Sequence, residues 1–140
     1  MEEIVAPPPP YALAIGICDL VYRDRGTGKR FILGCFSALH AHEFPAIHPG
    51  LGIYIDLTNG RGQMAVKVQI VDTDEVREPI WVGESVVEFN DPRMVAEIDL
   101  LVAGLKFPEP GEYRVQVYAN AEFIIERRLL VNKLEGTRNE

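Results

Sequence analysis

The sequence predicts an all-β fold, a two-layer antiparallel sandwich of about eight strands, and three observations carry that expectation. First, Phe107 to Val131 has the form of a terminal hairpin. Pro108 and Pro110 lack a backbone donor and stop strand pairing, Gly111 permits the reversal, and Tyr113, Val115 and Val117 then alternate with Arg114, Gln116 and Tyr118. Second, similar short runs of alternating apolar residues recur along the chain, separated by Gly, Pro, Asn and Asp. Third, Tyr113 directly follows the Pro-Gly turn, where sandwich folds place a tyrosine whose hydroxyl ties the turn to the backbone; an ordinary core tyrosine is the alternative.

In chain order, residues 1–10 end in four prolines, a stiff donor-free arm. Tyr11 to Tyr22 is apolar almost throughout, as in a strand covered on both faces, and Phe31 to Ser37 returns beside it after Arg25-Gly26-Thr27-Gly28-Lys29. A two-residue loop at Thr27-Gly28 sets Leu20 opposite Cys35 and Cys18 opposite Ser37, so a disulfide requires a register slip and both cysteines read as buried free thiols. Ala38 to Gly50 is the longest stretch without a strand pattern. Leu51 to Leu57 alternates as a third strand, Asn59-Gly60-Arg61-Gly62 signals a hairpin, and Met64 to Ile70 forms the fourth. Asp72-Thr73-Asp74-Glu75 is an acidic turn, and Ile80 to Phe89, carrying Trp81, is the fifth strand. Met94 to Phe107 fits a helical spacing and a strand equally. Strand over 94–101 is the choice, because a lone helix leaves a sheet edge bare. After the Asn120-Ala121 turn, Phe123, Ile125, Leu129 and Val131 continue the alternation. Arg127 intrudes, either snorkelling at an edge or marking a bulge. Residues 132–140 read as a polar tail.

The totals narrow the function. A chain of 140 residues with 47% hydrophobic and 25% charged residues is one globular domain. A net charge of −7 with scattered Arg and Lys argues against nucleic acid and anionic membrane as partners. The acidic start and the lack of a long apolar run predict a cytoplasmic chain.

No catalytic motif stands out. His40, His42 and His48 lie in the 38–50 stretch with Glu43. Two histidines two apart on extended chain share a side, so with His48 or Glu43 they are candidates for a zinc site with an open position. Solvated or capping histidines are the alternative. Cys35 and Ser37 precede His40, but a core thiol is a poor nucleophile. Asp72, Asp74 and Glu75 lack the glycine and downstream glutamate of a calcium loop. Asp56 with Asp99 or Glu97 is a conceivable carboxylate pair. No cofactor is expected. A long connection is a natural contact surface, so Phe44, Ile47 and His48 are candidates to pack on the end of the sandwich or to meet another chain.

Cys18-Asp19, Gly28-Lys29, Leu33-Gly34, Phe44-Pro45-Ala46-Ile47-His48-Pro49 and Phe107-Pro108-Glu109-Pro110-Gly111-Glu112-Tyr113 occur in this order over about residues 12–131. The order resembles a bacterial family of small stand-alone proteins catalogued as a domain of unknown function. The resemblance implies an immunoglobulin-like β-sandwich and transfers no activity. Only His48 of the three histidines lies in a shared motif, which counts against a common three-histidine site. The expectation is therefore an immunoglobulin-like sandwich over residues 11–131, acting as a non-catalytic interaction or accessory domain. Its partner is a protein or a second copy of itself, through end loops or a sheet edge. A small metal-dependent enzyme using His40, His42 and His48 is the alternative.

Overall fold

The computed structural model describes residues 8–73 and 77–135. Most of the proline-rich segment, Asp74 and Glu75 of the acidic turn, and the end of the polar tail lie outside the described residues. Nine strands form, with no helix among the described residues: β1 (Tyr11–Arg23), β2 (Arg30–Cys35), β3 (Ala38–Ala41), β4 (Ala46–Thr58), β5 (Gly62–Asp72), β6 (Trp81–Phe89), β7 (Val95–Phe107), β8 (Gly111–Ala119) and β9 (Glu122–Lys133). They build a four-stranded sheet, β2-β1-β4-β7, packed on a five-stranded sheet, β3-β9-β8-β5-β6. The expected β-sandwich is what forms.

The alternation determines which side chains meet between the layers. Leu51, Ile53, Ile55 and Leu57 of β4 face Met64, Val66, Val68 and Ile70 of β5, and all are buried. Ala96, Ile98, Val102 and Leu105 of β7 and Val115 and Val117 of β8 complete the interior. The strand period therefore prevails in the ambiguous segment. It runs past 101 to Phe107, because β4 offers it partners along the whole length from Thr58↔Val95 to Ala46↔Phe107.

Tyr113 is 1% exposed; its hydroxyl donates to the Glu109 carbonyl at 2.6 Å and accepts from the Glu109 amide at 3.4 Å. The ring stands edge-on to Phe107, with centroids 5.0 Å apart. The tying role is thus the correct alternative, and it holds the crossing from β7 in one sheet to β8 in the other.

Several local expectations change. Asn59-Gly60-Arg61 does reverse the chain, with Asn59 at φ 65°, but β4 and β5 belong to opposite sheets and do not pair. Turn chemistry specifies a reversal and leaves open which partner the strands choose. The 38–50 stretch is also not one loop. It contains β3, a turn with a cis Phe44–Pro45 bond, and the first residues of β4. β3 pairs in parallel with β9, from Ala38↔Leu130 to Ala41↔Lys133, so β3, the strand beyond the expected eight, is also the exception to antiparallel pairing. Four residues are too few to show a period. Pro49 is passed over in the pairing with β7, in a part of β4 that lacks β1 on its other side.

At the end of the chain, the register of β8 and β9 shifts between Val117 and Tyr118. Phe123 therefore turns outward, 53% exposed, and its ring meets Tyr118 at 5.8 Å. Arg127 snorkels. Its guanidinium donates to the Ile15 carbonyl at 3.4 Å and to Ser37 Oγ at 3.2 Å, bridging the two sheets at one side. The β8–β9 turn holds Asn120 at φ 46° and Ala121 at φ 68°. Two left-handed residues suit the twist of a hairpin, but alanine is strained there. Ala121→Gly is expected to stabilise the domain by about 1 kcal/mol, read as a raised midpoint in urea with an unchanged slope.

Candidate functional site

The first two strands outlast the sheet that starts them. β1 pairs with β4 from Tyr11↔Thr58 only as far as Cys18↔Gly52, yet continues with β2 from Cys18↔Cys35 to Arg23↔Arg30. The far half of this hairpin is an arm. In a flat sheet β2 would lie three strand spacings, about 14 Å, from β7. Arg30 of β2 nevertheless reaches Asp99 of β7 at 3.3 Å and Asp56 of β4 at 2.5 Å. Arg23 reaches Glu97 at 2.7 Å and Asp99 at 2.6 Å. The arm must therefore curl across the outer face of β4 and β7.

Alternation supplies the anchor. Tyr54↔Asp99 and Asp56↔Glu97 are neighbouring cross-strand pairs, which puts three carboxylates and a phenol side by side on the outer face. Like charges at this spacing repel, and two arginines from the arm neutralise them. The Arg30 side chain is only 6% exposed and its guanidinium lies 5.5 Å from the centre of the Tyr54 ring. Arg23, with help from the charge of Arg30, holds the Glu97 carboxyl below its ordinary range. The conceivable carboxylate pair is thus a salt-bridged cluster, with Arg23 and Arg30 placed against Asp56, Glu97 and Asp99.

The arm carries an apolar face as well. Leu20↔Leu33 and Tyr22↔Phe31 are successive pairs of one face, with the Tyr22 and Phe31 rings 6.1 Å apart. Leu20, Tyr22, Phe31 and Leu33 are 45, 50, 49 and 50% exposed. The first strand is therefore not covered on both faces, because the hairpin continues beyond the layers that cover it. The four side chains expose on the order of 400 Å² of apolar surface, the size of the largest apolar patch on a typical single domain. β2 is also an edge strand, with one side of its backbone unpaired in the sheet.

At the foot of the arm, Cys18 faces Cys35 directly, two residues out of the expected register. The turn explains the difference. Asp24 accepts from the Thr27 amide and hydroxyl, both at 2.7 Å, and the Gly28 amide donates to the Asp24 carbonyl at 2.8 Å. The connection therefore spans residues 24–29 with Gly28 at φ 73°, not Thr27-Gly28 alone. Cys18 is a buried free thiol, but Cys35 is exposed, contrary to expectation, because it lies on the outer face of an edge strand.

The histidines are less closely grouped than their spacing suggests. His40 on β3 and His48 on β4 line one cleft of about 60 Å³ with Leu39, Ile47, Phe107 and Val131, and His42 is not part of its lining. Among the described residues no three His, Cys, Asp or Glu side chains are placed to hold a metal ion. His48 stands 6.0 Å from Phe36, edge to face, with its Nε2 buried. Phe44 packs against the core, whereas Ile47 is 68% exposed. Asp72, of the acidic turn, pairs with Arg77 at 2.6 Å. The arm was the part that reasoning from sequence missed. Its signal was present in Arg23 and Arg30 bracketing a turn beyond two aromatic–aliphatic runs, a charged end unsuited to a strand covered on both faces.

These features define a β-sandwich domain with a curled, arginine-anchored hairpin arm. Residues 13–132 match the family described as "Family of unknown function (DUF6941)", and the chain belongs to that family. No curated protein matches the chain. Among solved structures, it is similar to the sensor domain of the anti-sigma factor RsgI4 of Pseudobacteroides cellulosolvens. That match has 18% identity and a TM-score of 0.42, covering 68% of this chain and 94% of the other.

Proposed function

We propose that the domain is a non-catalytic interaction module that takes an extended segment of another protein along β2 and the apolar face of the arm. The observation that carries this reading is a contrast within one hairpin. Arg23 and Arg30 fasten it to the sheet, while Leu20, Tyr22, Phe31 and Leu33 are left half-exposed. A rigid, unpaired strand edge beside an apolar face supplies both requirements of strand addition, backbone bonds for affinity and side-chain contact for selectivity. The immunoglobulin-like reading is supported by the order β9-β8-β5 facing β4-β7 and by the tyrosine at the start of β8, which match the G-F-C and B-E strands of that architecture.

The test places a photo-crosslinking residue at Leu33 and, as a control, at Lys67 on the opposite sheet, in cells of the native host. A discrete adduct from Leu33 alone, lost on adding Phe31→Asp, is the expected result. Equal adducts from both positions, or an adduct that survives Phe31→Asp in a folded variant, overturn the reading. A product of twice the chain mass identifies a second copy as the partner.

A further inference from the structure

We propose that Cys18 and Cys35 are a modification site, a pair of thiols that a hydroperoxide converts to a disulfide locking the foot of the arm. The inference does not rest on the arm having a partner. Its first support is register. Cys18 and Cys35 are direct partners, and the Phe36 amide donates to the Ile17 carbonyl at 3.1 Å, so the adjacent cysteine pair falls at a non-hydrogen-bonded position. Such positions bring Cα atoms to about 4.5 Å with the side chains on one face, within the range a disulfide spans.

The second support is the room made for these groups. A Cβ on Gly52 would lie 2.8 Å from Cys18 Sγ, and one on Gly16 would lie 2.1 Å from the Tyr54 ring. Both glycines sit inside strands, where they weaken pairing, and each leaves space that one of these side chains fills. Burial, together with the neighbouring Cys35, raises the Tyr54 phenol above its ordinary range. The third support is division of labour. Cys35 is open to solvent, and Cys18, fully buried behind it, is shielded from other reagents.

In the first step the Cys35 thiolate sulfur attacks one peroxide oxygen and the O–O bond breaks. The other oxygen leaves with the electron pair as hydroxide and takes up a proton to become water. In the second step Cys18 sulfur attacks Cys35 Sγ, and the S–O bond of the sulfenic acid breaks. The departing hydroxide takes the Cys18 proton as a second water. Two thiols lose two electrons in total and one peroxide gains them.

Purified chain treated with hydrogen peroxide is expected to lose both thiols together, to fall in mass by two hydrogens and to remain a monomer on a non-reducing gel. A thiol reductant should restore it. Cys18→Ser should instead accumulate a sulfenic acid at Cys35 that a dimedone probe traps, and Cys35→Ser should retain its Cys18 thiol. Cys35 passing to sulfinic acid in the unsubstituted chain while Cys18 stays free, both thiols persisting, or a disulfide between two chains would each overturn the proposal. Because Cys35 is exposed, Cys35→Ser keeps the fold and preserves the test if Cys18→Ser does not.

Discussion

Arg30→Ala is expected to destabilise the domain by about 2–4 kcal/mol, because it leaves carboxylates in place without the group that neutralises them. The Arg30 side chain is 6% exposed, and its partners Asp56 and Asp99 are 21% and 27% exposed, so water reaches them only in part. The change also removes the guanidinium from the Tyr54 ring. Urea unfolding measures the loss, and hydrogen exchange should locate it in residues 19–34 before the rest of the sandwich. Arg93→Ala is the control. Arg93 is 89% exposed and, among the described residues, pairs with Asp91, so no measurable change is expected. The same cluster sets an acid limit. Glu97 has its carboxyl held low in the folded state, chiefly by the Arg23 hydrogen bond. Its contribution is fully present above the unfolded carboxyl value of about 4.3 and is lost as pH falls through the folded value. Arm amides should lose protection on acidification through that window, and Arg23→Ala should flatten the response.

Phe107→Ala should have the largest effect, about 3–5 kcal/mol, lowering the melting temperature by roughly 10–15 °C. Phe107 is 1% exposed at the end of β7, edge-on to Tyr113 and opposite Ala46 of β4. Removing it opens a void beneath the chain crossing between the sheets. The Tyr113–Glu109 bond prevents the turn from collapsing into that void, so little of the loss is recovered by relaxation. Differential scanning calorimetry of the two chains at one concentration reads the difference. A loss below about 1 kcal/mol would show that the crossing repacks freely.

Legibility in the sequence followed locality. The β8–β9 hairpin and the tie at Tyr113 were readable because partner residues lie within a few positions of each other, as Tyr113 and Glu109 do. β7 was readable once its period was set against the need to cover β4. Pairing across the chain was not. Asn59 gave the reversal without revealing that β5 joins the other sheet, and nothing near Ala38 points to Leu130. The candidate site was hidden for the same reason. Asp56, Glu97 and Asp99 could be named as neighbours, but their arginines come from the 23–30 hairpin, and its curl depends on where β4 stops supporting β1.

The parallel seam between β3 and β9 sets an order for synthesis. The ribosome delivers the chain from the N-terminal end at about 5–20 residues per second, so Ala38 emerges seconds before Leu130 and waits unpaired for it. Until the last strand arrives, the five-stranded layer lacks its link to β3. Translation that stalls before codon 130 therefore leaves a nascent chain with this seam open.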